Sequence, residues 1–184
     1  MGNDALRLVV FDATTILLML APNEAGIPTD SSGNPITFPT ERIDGLLEDL
    51  AKNKVRIVIP TPALSEALVR AGGSGGAAHI AKLRSSKHFL IEAFDDRAAL
   101  EVAIWTKSAI DAGDKKGGSD DTWAKVKYDR QIVAIAKVAG ATTIYTNDRN
   151  LCSFAFGRGI KAIGVHELPL SDATAQMRMF SDAE

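Results

Sequence analysis

Short apolar runs of strand composition alternate with stretches of helical periodicity along almost all of this 184-residue chain. That alternation restricts the fold more than any other feature. Strand-like runs occupy residues 6–11, 55–59, 88–94, 142–147 and about 160–165. Between them, residues 13–20 read as a short buried helix. A helix with Thr40 as N-cap carries Ile43, Leu46, Leu47 and Leu50 on one stripe. Pro60 ends the second strand, Thr61 is placed to cap the next helix and Pro62 suits the first helical position. Further helices are expected at 77–85, at about 96–112 (stripe Leu100, Ala103, Ile104, Ile110), at 121–139 and at 149–156. Strands that alternate with helices cannot pair as hairpins. They predict a mostly parallel central sheet with helices on both faces, an α/β fold.

Chain length suits one domain, 1–184, with a core of about 6–165 and a polar tail at 166–184. Residues 21–39, with Pro22, Gly26, Pro28, Gly33, Pro35 and Pro39, read as a long loop. Gly72–Gly76 is a flexible stretch, and 113–121 is a charged loop. The lone cysteine, Cys152, excludes an internal disulfide framework and reads as a small buried residue. A formal charge of −2 removes bulk attraction to polyanions, so such a partner would need a local basic patch or a metal. The apolar start is broken by Asp12 and lacks a basic leader, and no segment reaches the length of a membrane span. A cytoplasmic protein without membrane contact is expected.

Four acids stand out against this frame. Asp12 ends the first strand and Asp148 the one near 142–147, while Glu66 and Asp129 lie on helices beside strands. Ligand sites in open α/β sheets form beyond the carboxyl ends of the strands. Carboxylates converging there repel unless a cation holds them, which points to a divalent metal. Each acid also has a plainer explanation. Asp12 and Asp148 would serve as helix N-caps, and Glu66 would pair with Arg70 one turn on. Asp129 fits such an account least well. It shares its helix face with Ile132, Val133 and Ala136, and Lys125 lies one turn earlier in the less favourable order.

Taken with their neighbours, these residues resemble the PIN-domain (PilT N-terminus) nucleases, which include VapC-type toxins of toxin–antitoxin pairs. The matching pieces are the first strand with Asp12-Ala13-Thr14-Thr15-Ile16-Leu17-Leu18, then Ile59-Pro60-Thr61-Pro62-Ala63-Leu64-Ser65-Glu66. Tyr128-Asp129-Arg130-Gln131-Ile132-Val133-Ala134-Ile135-Ala136 and Ile144-Tyr145-Thr146-Asn147-Asp148-Arg149 follow in the same order. No single piece is specific; four in order on the expected elements are. The resemblance implies a single PIN-like domain and a metal-dependent endoribonuclease. Asp12 and Asp148 would be central ligands of Mg²⁺ or Mn²⁺, and Asp129 would complete the set. Glu66 would bind directly, through water, or position the nucleophile. It further implies an antitoxin protein as partner, inserting a cation among the acids, and a homodimer. Thr14 stands where many relatives have Ser or Asn, and the insertions at 21–39, 72–76 and 113–121 exceed a minimal toxin.

Two other functions compete with this one. A haloacid-dehalogenase-like phosphatase needs a second Asp at position 14, which is Thr14. A non-catalytic PIN-like module binding RNA or protein has no need of four mutually repelling carboxylates. Lys115, Lys116, Lys125, Lys127, Arg130 and Arg149 offer phosphate contacts, but Asp114, Asp120 and Asp121 among them suggest a mixed solvated surface. Trp105 and Trp123 read as core or interface anchors. His79, His88 and His166 show no metal-ligand spacing.

Overall fold

Leu8–Phe11 forms β1, and both strands that flank it come from far along the chain. The computed structural model describes residues 7–30, 32–73 and 75–170. In order, its elements are β1, α1 (Ala13–Leu20), α2 (Pro22–Ala25), α3 (Pro39–Lys52), β2 (Arg56–Pro60) and α4 (Thr61–Arg70). There follow α5 (Gly76–Ser85), β3 (Phe89–Glu92), α6 (Asp96–Asp111), α7 (Trp123–Ala139), β4 (Thr143–Tyr145), α8 (Arg149–Phe156) and β5 (Lys161–Ile163). A 3-10 turn, Val165–Glu167, closes the described chain's regular structure.

All strand pairings are parallel, in the order β3-β2-β1-β4-β5. Successive residues Val9, Val10 and Phe11 of β1 are buried, as are Ile57, Val58 and Ile59 of β2. Side chains alternate between faces along a strand, so unbroken burial means that both faces are covered. Sequence order steps from β1 outward to β2 in one direction and later to β4 in the other. That reversal opens a crevice at the carboxyl end of β1, where α/β folds bind ligands. The register Phe11↔Tyr145 and the bond from the Asp12 amide to the Tyr145 carbonyl (3.2 Å) place the ends of β1 and β4 together.

Several local expectations needed correction. Helix α3 begins at Pro39 rather than after a Thr40 cap, and Phe38 before it takes left-handed φ of 55°. Pro60 both ends β2 and occupies the cap position of α4, so Thr61 is already helical. The 21–39 stretch contains α2 and a Thr29–Pro35 bridge, with the Asp30 carboxylate accepting from the Ser32 and Asn34 amides. On α6 the predicted stripe faces outward: Leu100 is 63% exposed, Ile104 54% and Ile110 52%. Ala98 and Trp105 are buried instead. They lie seven residues apart on one side, and at 3.6 residues per turn Leu100 and Ile104 fall nearly opposite. Most of the 166–184 tail, from residue 171 on, lies outside the described residues.

Candidate metal centre

The Asp12 carboxylate accepts the Thr15 amide at 2.7 Å, the N-cap bond of α1. The Thr15 hydroxyl donates to the Tyr145 carbonyl at 3.0 Å, which ties α1 to the end of β4. Asp148 does the same for α8: its Oδ1 accepts the Leu151 amide at 2.9 Å. Its own amide donates to the Thr146 hydroxyl at 3.0 Å. The capping explanation therefore holds for both acids and is compatible with a second role. A cap bond engages one carboxylate oxygen and leaves lone pairs aimed past the helix end.

Asp129 projects from the middle of α7 and is 4% exposed. Its partner is Lys125, one turn earlier, whose ammonium makes a very short contact with Asp129 and lies 2.9 Å from Asp148 Oδ2. The pair order judged unfavourable in the sequence is thus used after all, because β4 brings a second carboxylate to the same ammonium. Burial pushes the Asp129 carboxyl up to about 6, against the pull of Lys125. Burial would also raise Asp148, but the Leu151 amide and Lys125 together bring it below its ordinary value. Burial raises Asp12 as well, opposed by hydrogen bonds from Thr146 and Thr15. Lys125 stays firmly protonated: burial would lower it, and the two carboxylates outweigh that.

A fifth acid joins them. Carboxylate oxygens of Asp121, Asp129 and Asp148 all lie within 4.8 Å of one another. Asp121 precedes the Thr122 cap of α7, and the Asn150 amide holds its Oδ2 at 2.7 Å. In the sequence nothing separates Asp121 from Asp114 or Asp120, so it read as solvated surface. Asp12 and Glu66 are not part of this three-acid cluster, but they line the same cleft of about 350 Å³ together with Thr14, Arg70, Lys125, Asp129, Asn147 and Asp148. Glu66 is exposed at the rim, 4.0 Å from Arg70, whose guanidinium donates to the Thr14 hydroxyl at 3.2 Å.

Asn147 was also missed. Its Oδ1 accepts the Val165 amide at 2.8 Å, while its buried Nδ2 has no partner among the described residues. Cys152 is half-buried, its Sγ 3.8 Å from the Thr146 carbonyl. Burial, with Asp148 and Asp12 adding, pushes its thiol up to about 11, which disfavours the thiolate. Arg130, grouped in the sequence with surface cations, is 1% exposed.

Oxygen donors alone, three of them within 4.8 Å, could hold a divalent cation. Among the described residues no helix is long and apolar enough to cross a membrane.

Neither a protein-family model nor a curated protein sequence matches the chain. Solved structures do. One is VapBC2 from Rickettsia felis, bound to a DNA fragment from their promoter, at 16% identity and a TM-score of 0.53. That match spans 85% of this chain and 98% of the other. Another is VapC20 from Mycobacterium tuberculosis, described as a sarcin-ricin loop cleaving toxin, at 15% identity and a TM-score of 0.48. It spans 79% of this chain and 94% of that one. At such identity the likeness speaks to architecture, and the architecture is that of a PIN-like α/β domain resembling the VapC type.

Proposed function

We propose that the chain is a metal-dependent endoribonuclease and that Asp12, Glu66, Asp129 and Asp148 form its active site, with Asp121 as a fifth member. The observation that carries this is the convergence of four acids from distant parts of the chain on one cleft at the topological switch point, with Asp121 beside two of them. Asp129 and Asp148, with Asp12 and Asp121 beside them, would hold Mg²⁺ or Mn²⁺. When bound, such an ion lowers the pKa of a coordinated water and neutralises charge on the phosphate under attack. Glu66, exposed and weakly paired, is free to accept a proton from the attacking water or to orient it. Arg70 faces the same cleft and can donate to non-bridging phosphate oxygens. Lys125 keeps the carboxylates together in the metal-free protein by supplying positive charge between two of them.

The expected outcome is cleavage of single-stranded RNA that requires Mg²⁺ or Mn²⁺ and stops in EDTA. Asp12→Asn, Asp129→Asn and Asp148→Asn should each lower the rate by at least 100-fold while retaining the fold by circular dichroism. Undiminished cleavage by an Asp12→Asn/Asp148→Asn double variant would sink the assignment.

A toxin role in a toxin–antitoxin pair is the finer reading, favoured by the architectural likeness to VapBC2. In it an antitoxin places an Arg among the acids, where a guanidinium supplies the charge of the metal. Inhibition would then weaken as Mg²⁺ rises. A homodimer in the cytoplasm belongs to the same reading. Unimpaired growth of cells producing the active enzyme without a partner would favour RNA processing instead.

A further inference from the structure

A second cavity, of about 210 Å³, shares Asp129 with the acidic cleft. Its lining is different in kind: Lys116, Arg130 and Arg158 supply charge, and Ser119, Asn150 and Ser153 supply polar groups. Gly117 and Gly118, at φ of 66° and 82°, bring backbone to its edge without side chains. A Cβ on Gly117 would stand 3.8 Å from an Arg130 Nη atom, so this loop lies close over the guanidinium.

Arg130 is a costly residue to place here. Its side chain is almost wholly buried, and it donates to the Thr106 hydroxyl at 2.8 Å and the Lys115 carbonyl at 2.7 Å. Its Nε, also buried, has no partner among the described residues. Trp123 and Phe154 stack against it at 5.3 and 5.6 Å. Stacking satisfies the faces of a guanidinium, whereas its hydrogen-bonding edge lies in the plane and still requires acceptors. Arg158 repeats the pattern: it stacks on Phe154 at 4.0 Å and on Trp105 at 5.3 Å. Its guanidinium makes no hydrogen bond or ion pair among the described residues. Burial lowers the pKa of both guanidiniums, and the charge of Arg158 lowers Arg130 further. Two mutually repelling cations share one partly enclosed space.

The acids nearby are already engaged. Asp114 accepts the Lys116 amide at 2.9 Å and the Gly118 amide at 2.6 Å, and Asp129, which lines the cavity, is held by Lys125. Among the described residues no acceptor meets the Arg130 Nε or the Arg158 guanidinium. Tetrahedral oxyanions match the requirement: several acceptor oxygens, full charge, and a size well within a space that would hold several waters at about 30 Å³ each.

We propose that this cavity is a phosphate-binding site, built from Arg130 and Arg158 with Lys116 and the Ser119 and Ser153 hydroxyls. The phosphate is either the end of a nucleic-acid strand or part of its backbone, and Asp129, shared by both cavities, sets the site beside the acidic cleft.

Titration of the whole protein with inorganic phosphate in EDTA tests this without reference to any RNA cleavage. Tryptophan fluorescence, through Trp123 and Trp105, and melting temperature should both report saturable binding. Arg158→Gln, at a half-buried position, should weaken it at least tenfold, and Asp12→Asn should leave it as in wild type. Single-stranded oligonucleotides with 5′-phosphate or 5′-hydroxyl ends then separate the two sources. Tighter binding of the phosphorylated strand, lost in Arg158→Gln, identifies a terminal phosphate. Equal binding of both strands, weakened equally in Arg158→Gln, identifies a backbone phosphate. Absence of saturable phosphate binding by wild type, or an unchanged affinity in Arg158→Gln, would overturn the proposal.

Discussion

Asp129 carries a conflict that ordinary buffers can expose. Its carboxyl lies at about 6 in the folded chain against an ordinary 3.8, so the folded state binds that proton more tightly than the unfolded state does. The stability contributed is complete below pH of about 3.8 and is lost as pH rises through about 6, to the extent of up to roughly 3 kcal/mol. Asp129→Asn should therefore melt higher than wild type at pH 7 in EDTA, with the advantage shrinking toward pH 4. A variant that melts lower at pH 7 would show that Lys125 more than offsets the burial. By the same linkage, Mg²⁺ binding should strengthen across pH 5–7 and release protons, which calorimetry in two buffers measures. Lys125→Met tests the opposite partner. It leaves two carboxylates uncompensated and should cost about 2 kcal/mol in EDTA, less than the roughly 3–5 kcal/mol of a fully buried pair because Lys125 is partly exposed. Saturating Mg²⁺ should recover most of that loss, and a melting temperature indifferent to Mg²⁺ would contradict a metal site there. Lys125 was legible only as an unfavourable helical pair or a phosphate contact, since its second partner, Asp148, arrives at the N-cap of α8. Asp12 and Asp148 were legible because a strand followed by a capped helix is a local pattern. Asp121 was not, because its role depends on Asn150 and on where α8 begins.

On α6 the apolar residues divide into a covered face and an open one. Trp105, 9% exposed, meets Phe154 edge-on with ring centroids 5.4 Å apart, and the outward face shows Leu100 and Ile104. Truncation of Trp105 to Ala should cost about 3–5 kcal/mol. Leu100→Gln with Ile104→Gln should change stability by no more than about 0.5 kcal/mol, as exposed helical positions generally do. Urea unfolding of the pair of variants measures both. A loss above about 2 kcal/mol in the Gln variant would mean that something covers this face in solution. Sequence periodicity misassigned it because a helix in an outer layer, packed on α7, needs little apolar surface to be held. A stripe of Leu and Ile looks the same whichever way it points. Helix α7 was easier, since its buried face extends through Ile132, Val133, Ile135 and Ala136 and ends at Gly140, whose φ of 75° forms the C-cap. Strand limits were legible to within a residue or two where β-branched residues cluster, as in β2.

At the scale of the whole molecule, the parallel sheet and the acidic cleft are one construction. Placing β1 in the centre sends the chain first to β2 and β3 and only later to β4 and β5, so the crevice beside Asp12 is a consequence of topology. The alternation of strands and helices made the α/β class legible, and the strand order became visible only with the pairings. The same topology separates the halves of the site in time. The bond from Thr15 to the Tyr145 carbonyl spans 130 residues, and no acidic centre exists until β4 has docked beside β1. At roughly 5–20 residues per second, that interval is on the order of ten seconds of synthesis. A growing chain thus lacks the assembled acidic cleft until residue 148 has been made. Any protein that were to cover that cleft would have the whole of that interval in which to be waiting.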